Sequence, residues 1–106
     1  MAYYLVTASY TPEGIKGVLK NGGTARADAV KNAIEGLGGT MQSFHFAFGG
    51  DDVYVLVEAP NNLAVAALGL AVSSSGLAST KTVALLTPAE IDEAARLQVS
   101  YTPPGK

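Results

Sequence analysis

The sequence predicts an α+β domain with the element order β-α-β-β-α-β, and three observations carry that prediction. Four segments rich in aromatic and β-branched residues have strand length. Apolar residues at helical spacing fill the stretch between the first and second of them and the stretch between the third and fourth. Glycine, proline and asparagine clusters punctuate each boundary. The 106 residues leave room for one core and no second domain.

Tyr3 to Tyr10 reads as the first strand. Thr11-Pro12-Glu13-Gly14 stops it, with Thr11 suited to cap a helix and Pro12 to its first turn, where a missing N–H is harmless. Ile15, Val18 and Leu19 mark the buried side of that helix, and Asn21-Gly22-Gly23 should kink or break it. Thr24 is the expected cap of a second helical stretch whose stripe is Ala27, Val30, Ala33, Ile34 and Leu37, ending at Gly38-Gly39. Thr40 to Phe48 alternates: Phe44, Phe46 and Phe48 point one way, and Ser43, His45 and Ala47 the other. After the turn Gly49-Gly50-Asp51-Asp52, Val53 to Ala59 completes an antiparallel hairpin. Pro60-Asn61-Asn62 ends the strand and caps an alanine-rich helix from Leu63 to Ser73. Ser79 to Leu86 is the last strand, and Thr87-Pro88-Ala89-Glu90 is a capping box for a short helix through Leu97. Residues 1–99 form the expected folded core of a single domain spanning 1–106, and 100–106 an extended, proline-rich tail. The order is the split βαβ, or ferredoxin-like, arrangement with an added terminal helix. Ser100 to Gly105 echoes Ser9 to Gly14, a reuse of a turn sequence rather than a repeat architecture.

In this arrangement the two main helices cover one face of the sheet, and a bare second face should carry polar residues at alternate positions. It does not. Val53, Val55 and Val57 alternate with Tyr54 and Leu56, and Tyr4, Val6 and Ala8 with Tyr3 and Leu5, so both faces are largely apolar or aromatic. So large a patch calls for a cover. A second copy is the simplest, giving a homodimer whose sheets enclose an α/β barrel, with higher oligomers open. The short C-terminal helix is the alternative cover, and the tail is expected to lie across the mate.

Composition removes several function classes. There is no cysteine, which excludes disulfides, thiolate metal sites and cysteine nucleophiles. A formal net charge of −2 with scattered basic residues argues against nucleic acid. The apolar runs fall short of the ~20 residues of a membrane span. The start lacks the pattern of a secretory signal, which makes the cytoplasm the expected location.

His45, the one histidine, is the candidate general base or ligand, in a pocket with Tyr3, Tyr54 or Tyr10; packing at a sheet face or interface is the plainer role. Ser43 shares its surface, without a visible oxyanion hole. Asp51 and Asp52 suit a turn better than a metal, for which no further ligands at defined spacing are visible. Glu58, if buried, needs a partner such as Lys81. Gly22-Gly23-Thr24-Ala25-Arg26 has the elements of an anion nest but not the glycine spacing of a P-loop or dinucleotide fingerprint, and reads first as a helix break. Tyr10, Ser43 and Arg26 are the candidate ligand-binding residues, and no cofactor or metal is implied.

Several segments together resemble the GYD-domain proteins, small bacterial ferredoxin-like proteins related to the dimeric α/β-barrel superfamily. The carriers are Tyr10 to Gly14, Gly22 to Arg26, Leu37 to Gly39, Phe46 to Pro60, Leu85 to Asp92 and the terminal Tyr101 to Lys106. At the tripeptide Gly50-Asp51-Asp52 the chain departs from the family, with Asp51 where an aromatic is usual. The resemblance implies a fold and a dimeric assembly rather than an activity. Three functions stay in view: a homodimeric module binding a small apolar or aromatic molecule between sheet and helices, a cofactor-free enzyme, and a regulatory or scaffolding subunit. The enzyme reading follows superfamily relatives that act as monooxygenases, isomerases or dehydratases; by that analogy His45 is the base and Tyr3 or Tyr54 the proton donor or positioning group.

Overall fold

A computed structural model describes residues 1–106. Its elements are β1 (Ala2–Tyr10), α1 (Pro12–Asn21), α2 (Gly23–Gly36), β2 (Thr40–Phe46), β3 (Val53–Ala59), α3 (Asn62–Ser74), β4 (Ala78–Leu85) and α4 (Pro88–Arg96). The strands form one antiparallel sheet in the order β2-β3-β1-β4. This is the ferredoxin-like arrangement the sequence predicts, with the first crossover helix broken in two and α4 appended.

Caps and turns account for the boundaries. The Thr11 hydroxyl accepts from the Gly14 amide and Asn61 Oδ1 from the Ala64 amide, each satisfying a donor that the first helical turn leaves free. Thr87 and Glu90 form the reciprocal capping box of α4. The break between α1 and α2 falls at Gly22, whose φ of 88° is open only to glycine at little strain. Thr24 does not cap α2: Gly22 is the cap residue, and no side chain bonds the first turn.

The helix face of the sheet presents Tyr4 and Val6 from β1 and Val53, Val55, Val57 and Ala59 from β3. These form the core with Ile34 of α2 and Val65 and Leu68 of α3. The buried Tyr4 hydroxyl donates to Asn62 Oδ1 at 2.6 Å, tying the start of α3 to β1. Only 12 of the 106 residues are buried, so the chain alone has a thin core. Of the α2 stripe, Ile34 is buried and Ala27 and Val30 half-buried, while Ala33 and Leu37 are exposed.

β2 departs from its expected alternation twice. A bulge between Met41 and Ser43 turns Met41 to the helix side, where it packs with Phe44 against the core. The strand then ends at Phe46, which leaves Phe48 fully exposed in the turn rather than on the phenylalanine face. The hairpin closes through the Ala47 amide on the Asp52 carbonyl at 2.8 Å.

α4 does not cover the free sheet face. None of its residues is buried, and from Leu86 onward Ile91, Leu97, Val99 and Tyr101 are all exposed. The 16.9 Å radius of gyration and 57 Å long axis reflect this projecting arm; a compact chain of this size has a radius of about 13 Å. The echo of the Ser9–Gly14 turn, Ser100 to Gly105, forms no helix there. No helix is long and apolar enough to cross a membrane.

Candidate functional site

Two surfaces of the sheet carry the candidate residues, and they lie on opposite sides. On the helix side, α2 and α3 present mostly small residues toward the strands: Val30 and Ala33 from α2, Ala71 and Val72 from α3. Side chains this short cannot fill the space to the valines of β1 and β3, although protein interiors otherwise pack closely. A cleft of about 270 Å³ results, floored by Val6, Val53, Val55 and Val57 and flanked by Phe44 and Leu68. Fourteen of its seventeen lining residues are hydrophobic, so its interior favours an apolar occupant.

Arg26 is the one charged residue of the lining, and Tyr10, counted among the hydrophobic residues, adds a hydroxyl. Both also line a second groove of about 260 Å³ between α1 and α2, which shares Leu77 with the cleft. The two cavities therefore meet at a tyrosine and an arginine. Tyr10 is held at the end of β1 by its backbone amide, which donates to Asp52 Oδ2 at 2.8 Å. Its phenol is pushed above the usual value by burial; the Arg26 charge opposes that rise and the Asp52 charge adds to it. Arg26 sits in the first turn of α2, half-buried, and makes no ion pair.

The free face is organised in rows across β2, β3, β1 and β4. One row is Thr40, Glu58, Tyr3 and Leu85; the next is Ser43, Leu56, Leu5 and Val83; the third is His45, Tyr54, Thr7 and Lys81. The middle row is apolar except for Ser43, and Val83 within it is 52% exposed. At the polar end Asp51 Oδ1 accepts from Ser9 Oγ at 2.8 Å and from Lys81 Nζ at 3.4 Å. The Ser9 hydroxyl, then that of Thr7, then the Lys81 charge hold the Asp51 carboxyl below the ordinary carboxylate value. The Lys81 side chain is 77% exposed, so solvent screens the pair and the hydroxyl bonds dominate.

The sequence-derived candidates are thus divided. His45 lies beside Tyr54 on the free face, exposed, with Ser43 one row away. Tyr3 is two rows from His45, roughly 13 Å along the strand direction. Tyr10 and Arg26 come together on the helix side, apart from all of these. Lys81 pairs with Asp51 and not with Glu58, which neighbours Tyr3 and Thr40 two rows off. The Asp51 and Asp52 side chains bond outward to β1, and the Asp52 amide also donates to the Ala8 carbonyl at 2.8 Å. No three His, Asp or Glu side chains gather closely enough to hold a metal ion. The cleft wall itself went unread in the sequence. Its signal was Ala33 of α2 and Ala71 of α3, small residues that read as helix propensity before they read as missing volume.

No curated protein and no solved structure gives a match to the chain. The model of the GYD domain matches residues 4–95, from Tyr4 on β1 to Ala95 in α4, and with most of its length covered the chain belongs to the GYD domain family.

Proposed function

We propose that the protein is a homodimeric binding module whose sheet–helix cleft holds a small, mainly apolar molecule. The cleft carries this reading: about 270 Å³ of space walled by valine, alanine, leucine and phenylalanine, with Tyr10 and Arg26 in its lining. Its lining offers no histidine or carboxylate to act as a base, which favours binding over the proton-transfer chemistry of the enzymatic alternative.

The dimer rests on the free face. Leu5, Leu56 and Val83 form an apolar row across three strands, framed by Tyr3 and Leu85 on one side and by Tyr54 on the other. With strands of this length the face measures roughly 24 by 19 Å, or roughly 450 Å² in projection. Stable interfaces bury about 800 Å² per partner. The projecting arm, with Ile91, Leu97, Val99 and Tyr101 exposed, is suited to supply the remainder by lying across the mate.

Native mass spectrometry of the purified protein, repeated after denaturation, tests both parts. A dimer carrying a discrete mass that denaturation releases is the expected result. Leu56→Lys places a charge in the middle of the apolar row and should give a folded monomer by circular dichroism and sedimentation. A monomeric wild type, or a dimer indifferent to Leu56→Lys, would overturn the proposed interface.

A further inference from the structure

The meeting of two cavities at Arg26 says more about the occupant than that it is apolar. We propose that the cleft takes an amphipathic monocarboxylate, its hydrocarbon body against the valine floor and its carboxylate on the Arg26 guanidinium at the mouth, with Tyr10 beside it. This rests on the binding reading above and specifies the ligand class.

Three features of the site point to a carboxylate. First, the Arg26 side chain is half-buried yet has neither a carboxylate nor any other side-chain partner, although nine acidic residues are present in the chain. A guanidinium carries its donors in a fixed fork that matches a carboxylate with two parallel bonds. Second, the first turn of α2 ends on the same groove: Gly22 and Ala25 line it with Arg26, and no side chain caps the helix. Free amides and the positive end of the helix dipole there add to the attraction for an anion. Third, the charge present is one unit. Arg26 is the only lysine, arginine, histidine, aspartate or glutamate among the residues lining either cavity, and Asp52 stands close enough to Tyr10 to raise its phenol. A single cation with an anion nearby suits a monoanionic carboxylate better than a doubly charged phosphate.

The body of the ligand is set by the wall. Behind Tyr10 and Arg26 the lining is almost wholly aliphatic, with Phe44 as its one other ring and Ser75 and Thr80 as its other polar side chains. Such a surface selects a hydrocarbon chain or a fused ring over a polar metabolite. Charge and wall together describe a medium-chain fatty acid or an aromatic carboxylic acid.

Isothermal titration of the dimeric wild type with matched pairs at neutral pH tests the inference: octanoate against n-octanol, and naphthoate against naphthol. The acid of at least one pair should bind about tenfold or more tightly than its alcohol, the range expected for a charge-assisted hydrogen bond. Arg26→Gln should erase that preference, lowering the affinity for the acid to that for the alcohol, and Arg26→Lys should keep part of it, as a charge without the fork. Which pair binds tells an aliphatic body from an aromatic one. Acid and alcohol binding equally to the wild type, or a preference that persists in Arg26→Gln, would overturn the assignment of Arg26 while leaving the apolar cleft standing. No binding by any of the four probes would overturn the cleft reading and this inference together.

Discussion

Gly14 and Gly17 lie one turn apart on α1, and alanine at the two positions should have opposite effects. A Cβ on Gly17 would meet nothing within 4 Å. Alanine there removes unfolded-chain entropy and gains helix propensity, stabilising by about 0.5–1 kcal/mol. A Cβ on Gly14 would be driven into the Leu77 carbonyl oxygen and would stand 3.1 Å from Tyr10 Cδ1. That carbonyl accepts the Thr11 amide at 2.9 Å and the Thr11 hydroxyl at 3.2 Å, so it cannot retreat without breaking the joint between β1, α1 and the start of β4. Losing one such bond costs about 1 kcal/mol, and overpacking a tight site costs about 1–3 kcal/mol. The propensity gain at the third residue of a helix cannot offset this. Gly14→Ala should therefore be destabilised by about 1–3 kcal/mol net, against stabilisation in Gly17→Ala. Urea denaturation followed by circular dichroism, at one fixed protein concentration, reads both. Equal or higher stability of Gly14→Ala would refute the packing of α1 against Leu77. Because Tyr10 and Leu77 also border the cleft, the same substitution should weaken ligand binding where Gly17→Ala does not.

Two further outcomes follow from the contacts of Asp51 and from the cap of α4. The folded state holds the Asp51 carboxyl below its ordinary value, through Ser9 first, then Thr7 and Lys81. The stability this adds is fully present above the unfolded carboxylate value and is lost as pH falls through the lower folded value. Between those limits the wild type should lose stability on acidification more steeply than Asp51→Asn, and parallel pH profiles would count against the Ser9 bond. Thr87→Ala removes the α4 capping box, worth about 1 kcal/mol to a helix. With no buried residue in α4, it should reduce helical signal without moving the unfolding midpoint of a monomer; a shift confined to the dimer would show the arm engaged with the mate.

Most of the architecture was legible because local chemistry and global fold agree. Thr11, Asn61 and Thr87 cap the helices that their positions announce, and Gly22 breaks the first crossover where the paired glycines stand. The errors lie where a longer-range contact decides. Thr24 has the right chemistry for a cap, but the break sits so close to it that it falls inside α2. The bulge between Met41 and Ser43 shifts the register of β2 against β3, and no alternation within β2 alone can reveal a shift defined by its partner. The aim of His45 could not be read for a related reason: alternation gives two faces but not which one the helices cover. Tyr10 and Arg26 were each recognisable as polar residues near helix starts. Their meeting depends on α1 packing between the end of β1 and the start of α2, a tertiary fact.

The two faces of the sheet make complementary demands on whatever the protein meets. On the helix side the residues are apolar but too small, and the shortfall in volume invites a ligand. On the free side the row of Leu5, Leu56 and Val83 is apolar but lacks a layer to pack against, and the shortfall in area invites a partner. Both follow from so few of the chain's residues being buried. A domain with so thin a core has little stability to spare, and anything that binds only the folded form raises it by mass action. Ligand and mate should then stabilise the same folded state. Coupling between them beyond that shared effect requires a common element, and β1 and β3 provide one: Val6 and Val55 floor the cleft while Leu5 and Leu56, their immediate neighbours in sequence, face the proposed interface. A shift of either central strand that admits a ligand must also move the row on its other side. Occupancy of the cleft and strength of the dimer should therefore change together, and Leu56→Lys should weaken ligand binding without touching a single residue of the cleft wall.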